Sequence, residues 1–146
     1  MIRIEYPACS FKMKEEEGKE FIFDEFRKQW LRLTPEEWVR QNFLQYLLQV
    51  KKYPASLTAV EKEIRLGELK KRFDILVYDA QHRPWLMVEC KGMDMALNQD
   101  VLHQLLRYNV AVPVPYLVIT NGEYCAAFAR KDGRLEALTH LPDFVF

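Results

Sequence analysis

Cysteine is scarce, and nothing is arranged to use it. Cys9, Cys90 and Cys125 form an odd set with no C-x-x-C spacing, which supports neither a disulfide framework nor a thiolate zinc site. A reducing cytoplasm is the expected compartment. Glycine is also sparse, at 5 of 146 residues, and no glycine-rich phosphate loop is present, so ATP binding of the P-loop type is not expected. Neither sign of charge prevails, because 21 Lys and Arg balance 21 Asp and Glu. Any contact with nucleic acid must therefore come from a local basic face, not from a global field. No apolar run approaches the roughly 20 residues that cross a bilayer, and the N-terminus lacks a charged-then-apolar leader, so no membrane partner is expected. His82, His103 and His140 have no mutual spacing that suggests a zinc site or a triad.

What the chain does have is a composition of 49% hydrophobic and 29% charged residues, the balance of one compact domain with a real core. Residues 1–33 read as an N-terminal arm. It starts extended through Ile2, Ile4 and Tyr6, then continues as a poorly defined charged connector from Lys12 to Lys28. Phe21, Phe23, Phe26 and Trp30 in that arm pack on the core or on a second copy, which leaves a homodimer open. A single domain is expected over residues 34–146. It opens at Thr34-Pro35-Glu36-Glu37, an N-cap threonine, a proline at the first helical position and a glutamate at the third, the capping-box pattern. Val39, Phe43, Tyr46, Leu47 and Val50 then recur at helical spacing, with Leu44 and Leu48 widening the stripe until Tyr53-Pro54.

Beyond Pro54 the period falls to two. Val60, Lys62, Ile64 and Leu66 alternate imperfectly with Glu61, Glu63 and Arg65, and Gly67 closes the strand. Arg72 to Asp79 and Trp85 to Lys91 follow as two strand-like runs about the polar turn Ala80 to Pro84, giving a three-strand meander. Helical spacing returns from Ala96 to Asn109 and stops before Pro113 and Pro115. Tyr116 to Thr120 and Tyr124 to Phe128 flank the turn signal Asn121-Gly122, and the tail from Leu135 offers a further short strand. A helix between strands usually makes a crossover, so the order predicts an α/β domain, a mixed β-sheet flanked by helices.

Strand geometry turns Glu89 and Lys91 to one face and Val88 and Cys90 to the other. Asp74 lies between Phe73 and Ile75 in an apolar run, where an unpaired charge is costly to bury. If these strands are neighbours, Asp74 and Glu89 converge as two hard oxygen donors suited to Mg²⁺, with Lys91 beside them. An ion held there acidifies a bound water and offsets phosphate charge, and a lysine helps orient or deprotonate that water. The competing reading is a salt-bridged set on a half-solvated sheet. Cys90 faces away from the carboxylates and reads as a core residue.

Together, Glu37 in the opening helix, Asp74 at a strand start, Glu89-Cys90-Lys91 as E-x-K and Gln104-Leu-Leu-Arg-Tyr108 as Q-x-x-R-Y resemble the PD-(D/E)XK nuclease superfamily. Within it the chain is most similar to the N-terminal nuclease domain of type I restriction enzyme R subunits. That similarity rests also on Pro35-Glu-Glu-Trp-Val-Arg-Gln41, Arg72-Phe-Asp-Ile-Leu-Val77, Val88-Glu-Cys-Lys91 and Ile119-Thr-Asn-Gly122. Phe73 stands where the motif's name leads one to expect proline.

The resemblance implies a restriction-endonuclease-like three-layer fold and a metal-dependent DNA endonuclease. Asp74, Glu89 and the Cys90 carbonyl would hold Mg²⁺ or Mn²⁺, Lys91 would be the catalytic lysine, Gln104 would lie near the site, and Glu37 would match a helical acid directed at the metal. The capping box alone accounts equally well for Glu37. Leu97, Val101, Gln104 and Tyr108 fall on one predicted inward stripe, where a buried amide needs partners. Lys70, Lys71 and Arg72, with Arg65, lead into the Asp74 strand as a candidate phosphate-binding patch, and Arg107 is a further candidate. Solvated loop and helix positions are the alternative for these bases. The alternative for the whole chain is a catalytically silent module that binds nucleic acid or protein.

Overall fold

In the computed structural model, which describes residues 1–146 except for the side chain of Leu66, the three apolar runs after Pro54 form one antiparallel meander. It consists of β5 (Thr58–Leu66), β6 (Leu69–Tyr78) and β7 (Pro84–Cys90). The predicted alternation ends at Leu66, whose side chain lies outside the described residues. From β7 the chain crosses through helix α2 (Gln99–Asn109) to β8 (Tyr116–Thr120), which lies parallel to β7. A parallel neighbour requires such a crossover, since a tight turn can join only antiparallel strands. β9 (Tyr124–Lys131) returns antiparallel to β8, and both β1 (Ile2–Arg3) and β10 (Arg134–Leu138) pair with β9. The result is a mixed seven-stranded sheet.

Strand alternation gives this sheet two apolar faces. Leu86, Val88, Cys90 and Val118 pack with Val39, Phe43, Leu44 and Leu47 of helix α1 (Pro35–Gln49). Met87, Leu117 and Ile119 pack on the other side with Val101, Leu102, Leu105 and Leu106 of α2. The domain therefore has three layers, and each fully buried Phe or Leu of α1 contributes about 1.5–3 kcal/mol from area removed from water. That exceeds what the exposed ion pairs along β5 and β6 supply, about 0–1 kcal/mol each.

Three expectations are corrected. The segment read as an arm and connector is a small antiparallel sheet, β2 (Met13–Glu16), β3 (Lys19–Asp24) and β4 (Gln29–Arg32). Glu17 and Gly18, both at positive φ (52° and 74°), make the β2–β3 turn, the two-residue form that matches strand twist. Ile22 of β3 is fully buried, so this sheet packs on the domain. Second, α2 begins at Gln99 behind the N-cap Asn98, not at Ala96.

Third, Gln104 is exposed, as is Tyr108 at 71%. The sheet is met instead by Val101, Leu102, Leu105 and Leu106, a wider apolar surface than the stripe that contains the glutamine, and apolar area decides which face of a helix turns inward.

The Asn121-Gly122 hairpin signal holds, with a loop of residues 121–123 between the strands. Asn121 Oδ1 accepts from the backbone N–H groups of Glu123 (3.1 Å) and Tyr124 (3.0 Å). Gly122 has φ +96°, and a Cβ there would sit 3.1 Å from Val39 on α1. The turn thus requires glycine for both its backbone and its closeness to the helix.

Candidate active site

β6 and β7 bring Asp74 beside the E-x-K segment. Asp74 Oδ2 accepts from the Cys90 backbone N–H at 2.8 Å. Asp74 occupies a break in the strand's alternation: Phe73 packs with Leu76 on the α2 face, whereas Ile75 and Val77 pack on the α1 face. Strict alternation would put residues 73 and 75 together. The register with β5 omits the pair at this point, running from Val60↔Ile75 to Lys62↔Phe73. Glu61, opposite Asp74, has the left-handed φ of 50°, uncommon for a non-glycine residue and typical of a local constraint.

Two arginines answer the acids. Arg40 Nη2 donates to Asp74 Oδ1 at 2.8 Å and lies 3.3 Å from Glu61 Oε1, while its Nη1 donates to Glu37 Oε1. Arg27 Nη2 lies 3.1 Å from Glu37 Oε2 and its Nη1 lies 3.0 Å from Glu61 Oε2. Gln41 Nε2 adds donors to Glu37 (3.0 Å) and Asp24 (3.1 Å).

The first half of the capping box is present, since the Glu37 N–H donates to Thr34 Oγ1 at 3.0 Å. The Glu37 carboxylate, however, is committed to Arg27, Arg40 and Gln41, and it reaches Asp74 only through Arg40. Burial works against the Arg40 charge, but Asp74 and Glu37 outweigh it and hold the guanidinium protonated.

Glu89 is mostly buried, and its Oε1 lies 3.6 Å from Lys71 Nζ. Lys71 in turn sits 3.7 Å from the centroid of the Tyr108 ring, a cation–π contact. Burial and then the charge of Asp74 raise the Glu89 carboxyl above the ordinary carboxylate range, against the pull of Lys71 and Lys91. The two carboxylates therefore sense each other, with Lys91 also in range. The Cys90 side chain is fully buried in the α1-face core, and burial and Asp74 push its thiol well above the usual value, which leaves it a poor nucleophile.

The predicted basic patch divides. Lys71 turns inward to Glu89, Arg72 pairs with Glu61 at 3.1 Å and Lys70 with Glu63 at 3.1 Å, so these three do not form one free phosphate-binding surface. Arg107 is exposed on α2, as is Gln104, one turn before Tyr108 on the same side of the helix.

Arg27, Arg40, Gln41, Glu61 and Asp24 were not singled out from the sequence. Arg40 carried a signal, since it falls in register with Leu44 and Leu47 on the apolar stripe, where a charge demands a partner. Glu61 carried a weaker one, in the imperfect alternation of its strand. Arg27 lay within a run of surface-like charge and carried none.

A bound Mg²⁺ or Mn²⁺ fits this donor set chemically. Asp74 accepts two hydrogen bonds, which leaves lone pairs on a carboxylate that has about four. Among the described residues, no three His, Cys, Asp or Glu side chains form a metal cage, so backbone oxygen or water would complete the set. Among the described residues, no helix is long and apolar enough to cross a membrane. Compared with known proteins, residues 35–142 match the family model described as the type I restriction enzyme R protein N terminus. No curated protein matches the chain.

Proposed function

Because the chain belongs to the family of the type I restriction enzyme R protein N terminus, we propose that it is a metal-dependent endonuclease that hydrolyses DNA phosphodiester bonds. The observation that carries this reading is the docking of the Asp74 carboxylate on the Cys90 amide, at 2.8 Å, within the E-x-K segment. Asp74, Glu89 and the Cys90 carbonyl would hold Mg²⁺ or Mn²⁺. Such an ion, when bound, lowers the pKa of a water and offsets phosphate charge.

The remaining work falls to the chain's own side chains. Lys91 Nζ stabilises the negative charge that develops on the phosphate, or orients the attacking water. Arg40 keeps Asp74 aimed, and Glu37 keeps Arg40 in place, so Glu37 acts through Arg40 and not as a ligand. Arg107 and Gln104, both exposed on α2, would meet the nucleic-acid backbone.

The test is cleavage of plasmid and single-stranded DNA with Mn²⁺, together with calorimetric titration of Mn²⁺. Lys91→Ala is expected to abolish cleavage while Mn²⁺ still binds, and Asp74→Asn to abolish both. Cleavage that survives both substitutions removes the site.

A second reading, a nucleic-acid- or protein-binding module without hydrolysis, is favoured by one feature: each carboxylate already carries a cationic side chain, Arg40 on Asp74 and Lys71 on Glu89. Absence of Mn²⁺ binding by the wild-type protein would select it.

A further inference from the structure

The family match begins at residue 35, yet the small sheet before it reaches the site through Asp24 and Arg27. Asp24, at the end of β3, accepts from the backbone N–H groups of Phe26 (2.7 Å) and Arg27 (3.0 Å). The same carboxylate accepts from Arg27 Nε and from Gln41 Nε2. An aspartate that holds both the backbone and the Nε of an arginine fixes the direction of its fork.

The two remaining nitrogens of Arg27 then meet Glu37 on α1 and Glu61 on β5. These are the two acids that flank Arg40, whose own Nη2 bears on Asp74. Arg27 and Asp24 are 15% and 0% exposed at their side chains. At that burial a misplaced charge is strongly disfavoured, so the geometry is held tightly. The Arg40 Nε is buried without a hydrogen-bond partner among the described residues, so Arg40 is held in this pose by its carboxylate contacts.

We propose that Arg27 is a positioning residue: it sets Glu37 and Glu61, they set the Arg40 guanidinium, and Arg40 sets the Asp74 carboxylate against the Cys90 amide. The β2–β4 sheet is thereby a working part of the site and not an appendage. The inference concerns the site proposed above, but its central test needs neither metal nor cleavage.

The Cys90 amide proton reports where the Asp74 carboxylate lies, because it donates to Oδ2. Amide ¹H–¹⁵N spectra of the full 146-residue chain without metal are compared for wild type, Asp74→Asn, Arg27→Met and Arg27→Lys. A carboxylate acceptor draws the proton downfield, so Asp74→Asn is expected to move the Cys90 resonance upfield. Arg27→Met is expected to move it the same way, and Arg27→Lys, a single ammonium that cannot fork to two carboxylates, to a smaller extent. The Val118 amide in the sheet centre should stay in place.

A folded Arg27→Met protein with an unmoved Cys90 resonance overturns the proposal. Should Arg27→Met fail to fold, an unmoved Cys90 resonance in Arg27→Lys overturns it equally. Where the wild type binds Mn²⁺, Arg27→Met is expected to weaken that affinity by about tenfold, the lower end for supporting residues around a metal. If the wild type binds no Mn²⁺, the hydrolytic reading fails while the Cys90 resonance still decides the role of Arg27.

Discussion

Glu89 shows how a buried carboxylate bears on stability. Its folded-state pKa lies above the ordinary value of 4.5, through burial first and the Asp74 charge second. Between the unfolded and the raised folded pKa the native state binds more protons, so this group's contribution to stability is complete below about pH 4.5 and is lost as pH rises. Ionising Glu89 in the folded protein therefore costs stability relative to its protonated form. Glu89→Gln is expected to be more stable than wild type in urea at pH 7, with the difference disappearing at pH 4. Equal stability gaps at both pH values would contradict the shift. Of the candidates at this scale, the placing of Asp74 beside the Glu89-Cys90 end of β7 was legible, because the two runs read as neighbouring strands. Arg27 was not, and Arg40 showed only as a charge on an apolar stripe, because the carboxylates they serve come from α1, β3, β5 and β6, which only folding brings together.

Among the elements, α1 carries the most information in its first turn. Thr34 caps the Glu37 amide, and the acidic residues Glu36 and Glu37 also suit the positive end of the helix dipole. Because the Glu37 carboxylate is spent on the arginines, the cap is one-sided, and Thr34→Ala is expected to cost about 1 kcal/mol, the value for a lone N-cap hydroxyl. Chemical denaturation checks this, and the Mn²⁺ affinity should not change with it. The helix, the three-strand meander and the β8–β9 hairpin were all readable from local period and turn chemistry. The β2–β4 sheet was not, since its charged residues hide the alternation, with only Ile22 and Asp24 of β3 fully buried. Nor was the inward face of α2, where two overlapping apolar stripes competed and the wider one won.

At the scale of the molecule, a net charge of zero means that DNA affinity must come from a few phosphate contacts and not from a long-range field. Lys71 is buried against Glu89 and Lys70 and Arg72 pair with Glu63 and Glu61, so exposed Arg107 is the candidate whose loss DNA should feel. Arg107→Ala is expected to weaken DNA binding similarly for all sequences and to reduce the slope of log affinity against log salt by about 1. Fluorescence anisotropy over a salt series measures it, and an unchanged slope would remove Arg107 from the interface. Composition, periodicity and the order of elements were enough to determine an α/β domain with a mixed sheet, because burial pattern and connection rules are local or nearly so. Which cations face which carboxylates was decided only by tertiary structure. An ion pair depends on distance in space, and Arg27, Glu37, Glu61, Asp74 and Glu89 are far apart along the chain until the sheet assembles.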